Sequence, residues 1–290
     1  MIFLSIFFCI SQNSEEIGLD IIGRVAYYRA LMKIKRVLTI AGSDPTAGAG
    51  LQADLRVFAS LNIYGMAVPT AITIQNTKGV KGIIPLPAGA VRNQLKTLFD
   101  DVKIDAVKTG MLLTKENVLA VEEAIKRHRI KKFIIDPIIR SGTGVKLLKD
   151  DAVSALKKRL FPLAMIITPN INEAEMLTGI KIKDEKDVRL AAKAIYKMGP
   201  KYVLIKGGHL KGEANDFLFD GKKLIVFKGK RAEGIKLHGA GCVFSAAITA
   251  YLSKGLLVAE AVGEAKRFIN KAIKRAVAIG RGRKVLYKMP

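Results

Sequence analysis

From Ile34 onward, short runs rich in β-branched residues alternate with longer segments of helical period, and no other feature constrains the fold as tightly. The strand-like runs are Arg36 to Ala41, Ala67 to Ile74, Ile104 to Lys108, Lys132 to Asp136, Met165 to Thr168 and Tyr202 to Lys206. Between them the spacing predicts helices over Ala49 to Leu61, Ala88 to Asp101, Lys115 to His128, Asp150 to Leu160, Asn170 to Leu177 and Glu185 to Met198. Such alternation implies an α/β fold with a mostly parallel sheet covered by helices on both faces. Asp216 to Asp220 and Leu224 to Lys228 flank Gly221-Lys222-Lys223 as a hairpin. Two last helices are expected near Ala240 to Ser253 and Leu257 to Ala278. No repeat, low-complexity segment or linker splits the chain.

Half of the 290 residues are hydrophobic, enough to bury one large core in a single domain of roughly 250 residues. The segment before Met32 reads differently. Ile2 to Ile10 is apolar but too short to span a bilayer, no basic residue precedes it, and acidic residues follow without a cleavage pattern. Residues 1–31 are therefore expected to be a non-native or weakly ordered extension, with 32–290 forming the domain; a real extension that packs as a helix or anchors weakly is the alternative. Two cysteines, Cys9 and Cys242, cannot build a disulfide framework or a zinc cluster, and a reducing cytoplasm fits them. The net charge of +24 raises nucleic-acid binding as a reading. Against it, the basic clusters lack interleaved aromatics, Trp is absent, and no finger or RNP-like signature occurs. A lysine-rich surface on an enzyme of anionic substrates is the better reading, with neither nucleic acid nor membrane as partner.

In an open parallel sheet, ligands bind beyond the carboxyl ends of the strands. Here those positions carry Gly42-Ser43-Asp44, Gln75-Asn76, Thr109-Gly110-Met111, Asp136-Pro137, Asn170 with Glu173, and Gly207-Gly208-His209. Each has an ordinary explanation in loop chemistry or capping; Asn170 and Glu173, for instance, have capping-box spacing. Their joint occurrence points to a site. The stretch His238-Gly239-Ala240-Gly241-Cys242 then enters an apolar helix. A helix start offers unpaired N–H groups and a partial positive charge, so Gly239 to Cys242 can hold a phosphoryl group, and the same field would favour a Cys242 thiolate. An ordinary tight turn would use the same glycines.

Gly48-Ala49-Gly50-Leu51-Gln52-Ala53 matches the dinucleotide pattern G-x-G-x-x-A. That fold needs an acidic residue at the end of the second strand, and none lies between Asp54 and Asp100. Hydride transfer is set aside on that ground. A P-loop is excluded because G-x-x-x-x-G-K-[ST] does not occur.

Leu38 to Val80, reading LTIAGSDPTAGAGLQADLRVFASLNIYGMAVPTAITIQNTKGV, resembles the start of the hydroxymethylpyrimidine and phosphomethylpyrimidine kinases of thiamine biosynthesis, members of the ribokinase-like superfamily. Lys108 to Leu112, Asp136-Pro137, Thr168 to Glu173, Lys206 to His209 and His238 to Cys242 extend the resemblance to the C-terminus. It implies a three-layer α/β/α fold, a homodimer, and Mg²⁺-ATP-dependent phosphorylation of 4-amino-5-hydroxymethyl-2-methylpyrimidine and then of its monophosphate, with a monovalent cation as a further candidate. By the same resemblance, Gln75 pairs with the aminopyrimidine edge, Gly42 and Asp54 stand around the acceptor, and Met111 walls its pocket, although plain core serves Met111 nearly as well. Asp136 and Glu173 match acidic positions that organise Mg²⁺, and Asn170, Glu173 and Lys206 the nucleotide side; a strand-end lysine is also often merely solvated.

Gly239, Ala240, Gly241 and Cys242 match the anion-binding start, with Cys242 in the place of the residue that removes the acceptor's proton. Ala240 stands where the family more often has Thr. Arg140 stands near the family's lysine, and a guanidinium is not equivalent to an ammonium. Pyridoxal kinase, or dual use of both acceptors, is the nearest rival reading. A non-enzymatic nucleic-acid binder is the remote one.

Overall fold

The computed structural model describes residues 34–208, 213–229, 234 and 236–290; the expected extension over 1–31, Cys9 and His209 lie outside them. Among these described residues eleven strands and eight α-helices follow in chain order. They begin β1 (Lys35–Ser43), α1 (Gly50–Ser60), β2 (Ile63–Asn76), β3 (Gly79–Pro85), α2 (Ala88–Asp101), β4 (Ala106–Thr109), α3 (Lys115–Arg127), β5 (Phe133–Ile135) and α4 (Asp150–Ala155). Then come β6 (Ile166–Ile167), α5 (Ile171–Thr178), α6 (Glu185–Tyr196), β7 (Tyr202–Lys206), β8 (Asp216–Phe219) and β9 (Leu224–Phe227). The chain closes with β10 (Leu237–His238), α7 (Ala240–Ser253), α8 (Val258–Lys274) and β11 (Lys284–Val285).

The main sheet runs β3-β2-β1-β4-β5-β6-β7-β8-β9. Its strands from β2 through β7 are parallel, and antiparallel pairs β2–β3, β7–β8 and β8–β9 finish its two ends. The expected hairpin is thus present as β8 and β9. Strand β3 was not anticipated, because Gly79, Lys81 and Gly82 break the alternation that marks a strand. Helix α4 is shorter than expected: it loosens into a wider turn over Leu156–Leu160 and ends in a 3₁₀ turn holding Pro162.

Alternate residues of the central strands face two separate cores. Leu38, Ile40, Val107, Phe133, Ile135, Ile167 and Val203 meet the apolar faces of α2 through α6. Val37, Ala106, Ile134, Ile166 and Leu204 meet α1, α7 and α8. Strands buried on both faces need continuous apolar runs, which is what these sequences supply. The outcome is a three-layer α/β/α sandwich whose parallel strands all direct their carboxyl ends to one rim.

A candidate phosphoryl-transfer site

That rim holds a cavity of about 760 Å³, within the range of small-molecule sites. It is lined by Gly42 after β1, Gln75 at the end of β2, Met111 after β4, Asp136 after β5, Asn170 and Glu173 after β6, Lys206 ending β7, and Gly239 to Cys242 at the start of α7. These expected site residues are brought together; Asp54 is the exception. Its carboxylate is fully buried beneath the cavity and presents no surface to a ligand, which corrects the expectation of acceptor contact. It accepts hydrogen bonds instead from Thr39 Oγ1 (2.6 Å) and Lys108 Nζ (2.8 Å).

The start of α7 is built for anions. Gly239 caps it at φ 79°, where an L side chain is strained and where a Cβ would lie 1.8 Å from the Gly48 carbonyl oxygen. No side chain caps the first turn, so its amides remain available. The β1–α1 loop, which Gly239 abuts at Gly48, is stitched by Asp44, which accepts from Thr46 N (2.9 Å) and Ala49 N (2.9 Å). Gly50, at φ 61°, allows the loop to return against Gly42, where a Cβ would strike the Gly42 carbonyl oxygen at 2.4 Å. Close backbone packing therefore explains the dinucleotide-like glycines.

On the opposite wall, Asp136 Oδ1 accepts from Lys206 Nζ (2.7 Å) and Thr168 Oγ1 (3.1 Å), and Oδ2 from Ser245 Oγ (3.0 Å). Burial works against the Lys206 charge, but Asp136 and Glu173 outweigh it and hold the ammonium above its ordinary pKa. Lys206 is therefore a half-buried, paired cation on the cavity wall and not a solvated strand end. Glu173 closes the capping box with Asn170, accepting from Asn170 N at 2.8 Å while Asn170 Oδ1 accepts from Glu173 N at 2.9 Å. Burial, aided by the Asp136 charge, pushes its carboxyl up to about 7 against the pull of Lys206. Capping and site geometry are one arrangement here.

Cys242 lines the cavity, yet its thiol is pushed up to about 12, the reverse of the expected thiolate. Burial dominates and the Asp136 and Asp54 charges add to it; Lys108 and the Gly50 N–H draw it back only in part. A helix field acting on a desolvated sulfur is too weak to offset those effects. Lys108 itself is completely buried, and Asp54 overcomes the cost of burial to keep it protonated.

At the other side of the cavity, Gln75 Nε2 lies 2.8 Å from His238 Nε2, which lies 2.7 Å from Asp44 Oδ2. Hydrogen bonds to His238 and Thr46 hold Asp44 below the ordinary carboxylate range, although burial opposes them. An ionised Asp44 requires a proton on His238 Nε2. With a proton on that nitrogen the matching group is an acceptor, which assigns the Gln75 amide oxygen to the imidazole side and its NH₂ to the cavity. Met111 packs on Gly42, where a Cβ would meet its methyl at 2.4 Å, and also belongs to a small cluster with Ala71, Leu113 and Leu147. Met111 thus lines the cavity while packing as part of that cluster.

Sequence reasoning gave no role to Lys108, Ser245, His238, Asp44 or Lys266. The legible signals were Asp54 on the apolar face of α1 and Ser245 one turn beyond Cys242. Lys266 Nζ donates to Asp216 Oδ2 (2.6 Å) and the Ala214 carbonyl (2.7 Å), while Asp216 Oδ1 accepts from Gly207 N (3.0 Å), bracing the far end of the cavity.

Among the described residues no group of three or more His, Cys, Asp or Glu side chains could hold a metal. Asp136 and Glu173 nevertheless fit Mg²⁺, which takes one or two carboxylates and completes its shell with water and phosphate oxygens. Burial, with Asp136 nearby, disfavours charge on the Glu173 carboxyl, and a cation bound there would favour it.

Comparison with known proteins agrees with this geometry. The family model described as phosphomethylpyrimidine kinase matches residues 44–286. A hydroxymethylpyrimidine/phosphomethylpyrimidine kinase of Rhizobium meliloti is 44% identical over 250 residues, covering 85% of this chain and 94% of the relative. A thiamine biosynthesis bifunctional protein of Geobacter sulfurreducens is 46% identical over 247 residues, covering 85% of this chain, which spans 50% of that longer protein. The crystal structure of an ADP complex of Bacillus subtilis pyridoxal kinase superposes with a TM-score of 0.80 at 38% identity, covering 88% of this chain and 98% of that one. With the ribokinase-like layers, the phosphate-ready helix start and the family match in agreement, the chain belongs to the phosphomethylpyrimidine kinase family.

Proposed function

We propose that this kinase transfers the γ-phosphoryl group of ATP to the hydroxymethyl oxygen of 4-amino-5-hydroxymethyl-2-methylpyrimidine, and then a second one to the resulting monophosphate. The observation that carries this reading is the opening of the uncapped α7 start onto the same cavity as Gln75 and the Lys206–Asp136 pair. Phosphoryl transfer needs alignment and charge stabilisation more than covalent help, and these groups supply both. The Gln75 NH₂, oriented by His238, donates to a ring nitrogen, while Gly42 and Met111 bound the ring's face. The amides of Ala240, Gly241 and Cys242 receive the migrating group, and Lys206 offsets its charge. Mg²⁺ held by Asp136 and Glu173 would neutralise charge on the nucleotide phosphates. Asn170 and Lys206 sit on that nucleotide side.

The acceptor's proton is assigned to Cys242, but with its thiol near 12 the resting sulfur is protonated. It acts as base only in the small fraction of molecules carrying thiolate, which Lys108 and the Gly50 N–H favour.

We further propose a homodimer joined through the outer face of β2 and β3. Ile72, Ile74 and Ile84 are 45%, 55% and 51% exposed there, and Ile72 pairs with Ile84 across the strands. An apolar face at a sheet edge is costly to leave in water. No helix among the described residues is long and apolar enough to cross a membrane.

The test is to incubate the protein with Mg²⁺-ATP and, in turn, the pyrimidine alcohol, its monophosphate and pyridoxal, following ADP release and product mass. Turnover of both pyrimidines ahead of pyridoxal is expected. The similarity to a pyridoxal kinase makes comparable turnover of pyridoxal the second reading; turnover of neither pyrimidine would remove the first.

A further inference from the structure

The chain's last segment returns across the mouth of the cavity. Arg283 N donates to the Thr77 carbonyl (2.8 Å), Gly282 N to Thr77 Oγ1 (3.1 Å), and β11 pairs with β10 immediately before the α7 start. This fixes the half-buried Arg283 on the cavity wall, where among the described residues its guanidinium bonds backbone oxygens alone: Gly142 (2.5 Å) and Leu237 (3.4 Å). The guanidinium lies close against Gly142: a Cβ there would come within 2.5 Å of Arg283 Nη1 and push the side chain aside. Arg140, also on the cavity wall, likewise bonds a carbonyl, that of Gly144 (3.0 Å). Among the described residues neither arginine pairs with a carboxylate. Two permanent cations thus face one cavity with donors to spare.

The anchors of Arg283 place it at the acceptor end. Thr77 lies two residues beyond Gln75, and Leu237 precedes the histidine that touches Gln75. The lysines of the nucleotide side are already committed, Lys206 to Asp136 and Lys266 to Asp216. A neutral alcohol needs no further cation at this end, whereas a phosphate monoester brings about two negative charges at neutral pH. A guanidinium meets such oxygens in a forked pair of charge-assisted hydrogen bonds.

We propose that Arg283, joined by Arg140, seats the phosphate that the acceptor already carries when it is phosphorylated a second time. This rests on the kinase reading above. The Gly142 and Leu237 carbonyls hold the guanidinium in place, and its remaining donors take the ester oxygens.

The experiment compares wild type, Arg283→Gln and Arg283→Lys in steady-state kinetics with the alcohol and with the monophosphate, each at several ATP concentrations, after thermal melts establish that the variants are folded. Binding of the monophosphate without ATP is measured by calorimetry. The expected result is that Arg283→Gln lowers kcat/KM for the monophosphate about 10- to 100-fold more than for the alcohol, with a matching loss of monophosphate binding and partial recovery in Arg283→Lys. Equal losses on both acceptors, or a raised KM for ATP shared by both reactions, would reduce Arg283 to a brace or a nucleotide contact and overturn the proposal. A wild type that phosphorylates the alcohol but not the monophosphate also overturns it, whereas a wild type inactive on both fails at the kinase reading itself.

Discussion

Lys206 Nζ stands 3.2 Å from the point that a Cβ on Gly241 would occupy, so the ammonium is seated directly on the open first turn of α7. Amide dipoles and a half-buried cation therefore converge on one spot without a side chain between them. Gly241→Ala would press on the flexible end of Lys206 and displace it by a few tenths of an ångström. The expected outcome is a kcat lowered about 10- to 100-fold with little change in melting temperature, since the loss falls on charge stabilisation in the transition state. Gly239→Ala should behave differently, because its Cβ would meet backbone at 1.8 Å and its φ is positive. Loss of stability of more than about 2 kcal/mol, read by urea denaturation, is expected there.

Lys108 and Asp54 form an ion pair with neither side chain exposed, below Cys242. Removing one member strands a buried charge, so Lys108→Met should destabilise the fold by about 3–5 kcal/mol. Replacing both, as Lys108→Met with Asp54→Leu, should recover much of that loss while leaving kinase activity low, because the cation acting on the Cys242 sulfur would still be missing. Denaturant melts of the two single variants and the double variant measure the coupling directly.

Much of this architecture is legible in the chain because strands buried on both faces must be written as apolar runs, and Val37 to Ala41 or Phe133 to Ile135 can be little else. Strand β3 is not legible, since an edge strand rich in glycine gains its pairing from β2 and carries little local signal. The site reads well where backbone chemistry dictates residue type, as at Gly239 and in the Asn170–Glu173 capping box. It reads poorly where function depends on desolvation. Nothing local to Cys242 shows that its sulfur is buried among carboxylates, and nothing local to Asp54 shows that its partner lies 54 residues away on β4. The Arg283 contact with Gly142 joins residues 141 positions apart and has no sequence signature at all.

Glu173 gives a stability that depends on pH. Its carboxyl titrates near 7 in the folded chain against an ordinary value of 4.5, so between these values the folded state keeps a proton that the unfolded state has lost. Stability from this group is therefore present below about pH 4.5 and declines as pH rises through 7. Glu173→Gln keeps an oxygen for the Asn170 N–H and removes the titration. At pH 8 it should be more stable than wild type by on the order of 2 kcal/mol, with the difference closing at pH 5. Its kinase activity should fall at least about tenfold if the carboxylate serves Mg²⁺. Melts across pH 5 to 8 and magnesium titrations of turnover check the two halves separately.

The apolar face formed by Ile72, Ile74 and Ile84 supplies a prediction about assembly. Ile74→Glu places a charge at its centre without touching either core. Wild type is expected to run as a dimer in light scattering coupled to size exclusion, and Ile74→Glu as a folded monomer, because burying an unpaired carboxylate at an interface costs several kcal/mol. A wild type that is monomeric at micromolar concentration would remove the dimer.

Cys242 offers the sharpest test of the chemistry, because its raised pKa makes two roles separable. As general base, the sulfur must be ionised, and a thiol near 12 means that kcat/KM should rise about tenfold per pH unit through the range 7 to 9, where the thiolate fraction is small and grows in that proportion. Cys242→Ala should then lose about 10²- to 10⁴-fold in rate together with that slope. As a mere filler of the α7 start, the sulfur would leave wild type and Cys242→Ala with parallel pH profiles and similar rates. Alkylation by iodoacetamide gives an independent reading: a buried, protonated thiol should react far more slowly at pH 7.5 than a free cysteine, and Lys108→Met should slow it further by withdrawing the cation that most favours the thiolate.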